Sequence, residues 1–173
     1  MLRSRTYKEL IYFFQRICDE LDTVKFFSWG EPEEMGVNES GPSWDWTPET
    51  TYPNNQYPFV FLQPTSLQIV QGFYQYTMNL FVLDISPSTR VELMETHDTM
   101  LAILQDILAK IKLTPWRTTS GEMYSQNKTD ASFSYPINVI PQTKISKNGL
   151  SGWMATFTIN VKNPLDLENA PFG

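Results

Sequence analysis

The chain has 173 residues, enough for one domain with a substantial core, and its 41% apolar and 14% aromatic content is that of a globular protein rather than a disordered one. Its net charge of −6 argues against general nucleic-acid binding, which needs a basic footprint, and no apolar run reaches the roughly 18 residues that cross a bilayer. A single cysteine, Cys18, excludes an internal disulfide and fits assembly in a reducing cytosol.

The segment Met1–Thr6 is basic, but Lys8, Glu9, Gln15 and Arg16 break the stretch after it, so it reads as a helix face and not as a signal peptide. Thr6 and Glu9 have capping-box spacing, which predicts a helix start there. Leu10, Phe14, Ile17 and Leu21 share one stripe, flanked by Phe13 and Cys18, and the helix should end near Asp22. Val24 to Trp29 is β-branched and aromatic and reads as a short strand. Residues 30–57 hold Pro32, Pro42, Pro48 and Pro53 and read as a long irregular loop, a feature that is usually functional. Trp44, Trp46 and Tyr52 on it either fold back on their own domain or pack on a neighbouring subunit, since Trp and Tyr favour interface cores.

Phe59 to Gln63 is predicted as a strand that Pro64 ends, and Phe73 to Asp84 as a longer one. Tyr74, Tyr76, Met78, Leu80 and Val82 fall on one face of the second strand. Gln75, Thr77 and Asn79 begin the other, which turns apolar at Phe81 and Leu83. Thr65 to Gly72 is too long for a tight turn and is expected to project as a hairpin tip. Pro87 stops the strand, and Thr89 with Glu92 repeats the capping-box spacing. Leu93, His97, Met100, Leu104, Ile107 and Ile111 then form a continuous helical stripe, widened by Met94, Leu101 and Leu108, with Pro115 beyond its end. Residues 113–130 form a second long polar loop that carries Trp116. Phe133, Tyr135, Ile137 and Val139 alternate with polar residues, as do Trp153, Ala155, Phe157, Ile159 and Val161. Asn148-Gly149 between the two runs is a turn signal, so they should pair antiparallel, and residues 163–173 follow as an extended tail. The whole predicts one α+β domain over residues 1–173: a mixed, mainly antiparallel sheet packed by two helices.

Catalytic patterns are sparse. His97 is the sole histidine and lies on a helix stripe, where a packed or hydrogen-bonded core role is the plain reading. Cys18 sits beside the first stripe and reads as a small buried hydrophobe. Glu33-Glu34 and Asp19-Glu20 are adjacent pairs without the geometry of an acid pair across a cleft. Gly149-Leu150-Ser151-Gly152 lacks the lysine and helix start of a phosphate loop, and no calcium-loop spacing occurs. No metal, cofactor or catalytic residue is therefore assigned.

Charge is unevenly spread. No Lys or Arg occurs between Phe26 and Thr89, a span that holds Glu31, Glu33, Glu34, Glu39, Asp45, Glu49 and Asp84. Such a run is commonly a solvated face; the sharper reading is a surface that repels a polyanion or meets a basic partner.

Tyr7 to Leu21, Phe59 to Gln63, Tyr74 to Asp84, Leu93 to Ile111, Phe133 to Ile140 and Trp153 to Val161, with the short strand and long loop after the first helix, follow the order helix, strand, long loop, strand hairpin, helix, strand pair. That order resembles the tail-terminator and neck proteins of tailed bacteriophages. The resemblance implies a tail-terminator-like fold and a non-enzymatic virion subunit, assembled in the host cytoplasm. It implies a homo-oligomeric ring, a hexamer or a multiple of six, which contacts the tail tube and the connector or neck proteins. DNA would be passing cargo, and no membrane would be involved. Trp44, Trp46, Tyr52 and Trp116 would then serve subunit contacts, and Glu31, Glu33, Glu34, Glu39 and Asp45 an acidic channel surface. An exposed strand edge, extended by a neighbour's segment, would serve ring closure. The alternative is a helix-grip binding module, with Tyr74, Tyr76, Met78, Phe133, Tyr135, Trp153 and Phe157 around an apolar pocket.

Overall fold

The computed structural model describes residues 7–31, 57–70, 73–113, 131–145 and 149–162. In chain order they form α1 (Tyr7–Asp19), β1 (Phe26–Trp29), β2 (Phe59–Val70), β3 (Phe73–Ile85), α2 (Arg90–Leu113), β4 (Ala131–Ile145) and β5 (Leu150–Lys162). The five strands make one mixed sheet in the order β1-β2-β3-β5-β4. β1 runs parallel to β2, and every other neighbouring pair is antiparallel. This is the α+β arrangement that the element order predicts.

Both helices lie on the same face of the sheet. α1 buries Leu10, Phe13, Phe14, Ile17 and Cys18, as read from the sequence, and Ile11 with them; Leu21, expected on the stripe, lies beyond the end of α1 at Asp19 and is partly buried against the same core. Phe14 meets Phe157 of β5 at 5.9 Å between ring centroids. α2 starts at the expected cap, where the Glu92 amide donates to Thr89 Oγ1 at 3.2 Å. Glu92 in the first turn and Lys110 and Lys112 in the last complement the helix dipole. Met100, Ile103, Leu104, Ile107 and Ile111 bury against the sheet. Met94, expected on this stripe, is instead 70% exposed. Met94 lies to the solvent side of the stripe, on which Leu93 and His97 are half-buried and Met100 is the first fully buried residue. Lys110 reaches Glu20 at 2.9 Å, an exposed ion pair between the helices of little energetic weight.

Register fixes the two faces of the sheet. Val60, Leu62, Tyr76, Met78, Leu80, Val82, Ala155, Phe157 and Ile159 face the helices and share one core with them. Phe59, Phe61, Phe81, Leu83 and Leu150 form a second buried cluster on the opposite face, with Phe26, Tyr57 and Met154 against it. Phe26, Phe59, Phe61 and Phe81 follow one another in ring contact at 5.6, 6.0 and 6.3 Å. β3 thus has one face apolar along its length and one that changes from polar to apolar at Phe81, as its sequence predicts.

Two strands outrun their prolines. β2 does not end at Pro64 but continues to Val70, which leaves only residues 71–72 between it and β3 in place of the long tip expected from Thr65. A bulge between Pro64 and Ser66 absorbs the irregularity, and Thr65 Oγ1 donates there to the Thr77 carbonyl at 2.8 Å. Pro64 follows the part of β2 that β1 covers, so its missing N–H interrupts no ladder on that side. β4 likewise runs to Ile145 through Pro136 and Pro141, because it is the outer strand and shifts register at Ser134/Asn138 and Gln142/Ile145. Leu113, expected in the second loop, is the last residue of α2. Residues 32–56, 114–130 and 163–173, which hold most of both predicted loops and the tail, lie outside the described residues. No helix among the described residues is long and apolar enough to cross a membrane.

Candidate interaction surface

The face of the sheet away from the helices carries a polar field built by three strands of known register and a fourth beside them. Gln68, Gln75 and Asn160 make one row, Ser66, Thr77 and Thr158 the next, and Gln63, Asn79, Thr156 and Asn138 the third. Strand and residue spacings make this field about 14 Å on each side. Every position in it is an amide or a hydroxyl residue, and none is ionisable.

The middle of the field is internally hydrogen-bonded. Asn79 Nδ2 donates to Gln63 Oε1 at 3.0 Å, and Thr156 Oγ1 donates to Asn79 Oδ1 at 2.7 Å. Thr77 and Thr158 hydroxyls meet at 3.1 Å in the next row. Cross-strand pairs of this kind stabilise a sheet locally and hold the side chains in place. The result is a firm, polar, neutral plate with no group suited to acid–base work. The sequence showed half of it in the Gln75, Thr77, Asn79 alternation. Assembling the rest required the register that sets Thr156, Thr158 and Asn160 beside those residues.

Of the residues singled out from the sequence for subunit contacts and an acidic surface, Glu31 alone falls within the described residues. Trp44, Trp46, Tyr52 and Trp116, and Glu33, Glu34, Glu39 and Asp45, lie outside the described residues. Glu31 is described and stands near the start of α1, where its charge adds to burial in raising the pKa of Tyr7. The Tyr7 ring meets Trp29 edge-on at 6.0 Å.

His97 is a tie between layers. Its Nδ1 lies 2.9 Å from the Leu93 carbonyl and its Nε2 3.0 Å from the Gln142 carbonyl of β4. Trp153 Nε1 donates to the His97 carbonyl at 2.7 Å, and the two rings meet edge-on at 5.8 Å. The ring nitrogens face backbone acceptors, which fits the packed, hydrogen-bonded role read from the sequence. His97→Leu should lower stability by about 1–3 kcal/mol, since the Gln142 carbonyl loses its partner on α2. Thermal or urea unfolding measures this, and an unchanged midpoint would contradict the tie.

Cys18 is 1% exposed, and burial first and Asp19 second push its thiol up to about 12. The thiolate is the reactive form, so this thiol is inert in the folded chain. Under native conditions a thiol reagent should modify Cys18 only at the rate of opening, and at once after denaturation. Rapid native labelling would show that α1 is not docked as described.

Elsewhere, burial first and then Tyr74 and Tyr7 push the Tyr76 phenol above its ordinary value. Burial also raises the Asp84 carboxyl, against the lowering effect of the Ile85 amide that donates to it at 2.7 Å. Among the described residues no group of three or more His, Cys, Asp or Glu is placed to hold a metal ion. No family model matches this chain, and no curated protein matches it in sequence.

Proposed function

We propose that the protein is a non-enzymatic virion subunit of a tailed bacteriophage, a tail-terminator, neck or tail-completion ring component that borders the DNA channel. The observation that carries this reading is the neutral polar plate on a sheet whose element order resembles that group. A channel for DNA must let it slide. Each lysine or arginine paired with a phosphate releases counterions and makes a sticking point. The plate offers no cation, and its β2 and β3 positions fall within the span from Phe26 to Thr89 that has no Lys or Arg. Glu31, Glu33, Glu34, Glu39 and Asp45 belong to the same span and would add repulsion to neutrality.

On this reading Trp44, Trp46, Tyr52 and Trp116 serve contacts between subunits, and the partners are copies of the chain, the tail tube and the connector. The rival, a helix-grip pocket, is less well supported. Tyr76, Met78 and Phe157 are buried in the cluster shared with both helices, and Tyr74 and Trp153 pack against it. Imaging of the recombinant protein mixed with tail tubes is the test. Six-fold rings at the tube end are expected. A lone subunit that ignores the tubes and takes up an apolar dye would replace the ring with the pocket.

A further inference from the structure

The outer edge of β2 is half covered. β1 pairs with Phe59 to Leu62, and the Gly30 amide closes the pairing on the Leu62 carbonyl at 3.1 Å. Beyond Leu62, among the described residues, nothing pairs with that edge. Thr65 to Val70 is exposed throughout, with Ile69 69% and Leu67 45% exposed. Natural edge strands are guarded by lysine, proline, a bulge or a covering element. Here the bulge and Pro64 come before the segment, and Thr-Ser-Leu-Gln-Ile-Val contains no charge, no proline and no glycine. At the far side of the sheet the outer strand β4 has both Pro136 and Pro141 and two register shifts. The outer strand β1 is only four residues long, so among the described residues Thr65 to Val70 is the longest edge without such a guard.

We propose that Thr65–Val70 is a self-pairing edge: two copies of the chain join β2 to β2 antiparallel about a two-fold axis, making one continuous sheet. The alternation of an antiparallel ladder supplies the register. Pro58 and Leu62 turn their carbonyls outward to Lys25 and Gly30. The bulge then shifts the alternation by one, so the peptide groups of Leu67 and Ile69 face outward and those of Ser66 and Gln68 face β3. Centring the axis on Gln68 sets Leu67 of one copy against Ile69 of the other, as a pair that exchanges both backbone hydrogen bonds. The same register sets Gln68 against Gln68.

Each face then meets its like. Leu67 and Ile69 lie on the helix-bearing face, next to Tyr76 and Tyr74 in register, and gain an apolar neighbour. Gln68 lies in the polar field, and its row would run on through the axis into the second copy. The absence of any charge from Thr65 to Val70 removes the repulsion that identical segments otherwise suffer when they meet. An isologous contact of this kind is closed and stops at two. It is separate from ring closure, which uses two unlike patches, and would join two subunits or two rings face to face.

Sedimentation across a range of concentrations tests the association, and a cysteine tests its register. The protein should pass from monomer to dimer, and Ile69→Lys should weaken this about tenfold or more, since an edge lysine opposes such pairing. Ile69 is exposed, so the unfolding midpoint of that variant should stay with the wild type and separate a pairing defect from a folding one. Cys18 is buried, so Gln68→Cys introduces the accessible thiol and should form a covalent dimer on mild oxidation. Gln75→Cys, on the inner strand β3, should not. A wild type that never dimerises, an Ile69→Lys dimer of unchanged strength, or a Gln68→Cys dimer that does not cross-link would each overturn the proposal. Rings without the cross-link would remove the two-fold contact and leave the ring; the cross-link without rings would do the reverse.

Discussion

Gly152→Ala is expected to cost about 3 kcal/mol or more, because backbone strain and steric overlap act at one buried position. Gly152 has φ +157°, a conformation that side chains rarely adopt, and it pairs with Leu83 on one side and Gln142 on the other. A Cβ built there would run into the Val82 carbonyl oxygen, with the Val82 carbonyl carbon at 3.0 Å and Leu83 Cα at 3.1 Å. The obstacle is backbone of the central strand and has no rotamer to change. Relief would require β5 to move off β3 where the second buried cluster sits. Gly149 makes the comparison: its φ is +64°, and nothing lies within 4 Å of a Cβ there. Gly149→Ala should therefore cost only about 1 kcal/mol, the strain of a left-handed residue alone. Urea unfolding of the two variants side by side measures the difference. Equal midpoints would mean that the close approach of β5 to β3 is not as described.

Phe61→Ala should cost about 3–5 kcal/mol, as large-to-small changes of buried aromatic residues do. For a chain of this size that corresponds to a fall of roughly 10 °C in Tm. Phe61 is fully buried on the face that bears no helix, between Phe59 and Phe81. The experiment asks whether that cluster is a true second core. A loss of only a few tenths of a kcal/mol, of the kind expected at a solvated sheet surface, would mean that it is not.

Much of this frame was legible in the chain because local rules and tertiary packing agree along it. The Thr89–Glu92 spacing forms the cap it predicts, and β3 shows both of its faces in its own alternation. His97 lies where a helix stripe would put it and hydrogen-bonds as a core residue does. Pro64 misled because a proline signals a strand end only when its missing N–H is needed by a neighbour, and it belongs to a stretch of strand with an uncovered edge. Strand order is not a local property, so it was invisible in any one segment. Met94 misled for a related reason: a helical period names a face but does not say how wide a part of that face the sheet covers. The neutral plate was half visible for the same cause, since its other half lies on β5, far along the chain.

The position of β5 has a further consequence for biosynthesis. β3 is the middle strand, yet its second neighbour follows only after α2 and β4. A ribosome adding about 5–20 residues per second needs on the order of several seconds to pass from Ser86 to Gly149. During that interval the β2–β3 hairpin has emerged with its inner seam unmatched. Folding of such a non-local topology is also slow once the chain is complete. The nascent hairpin, with uncharged segments along both margins, is the species that a holding chaperone would be expected to meet first. Production at lower temperature or with added chaperone should favour recovery of the native form over precipitate.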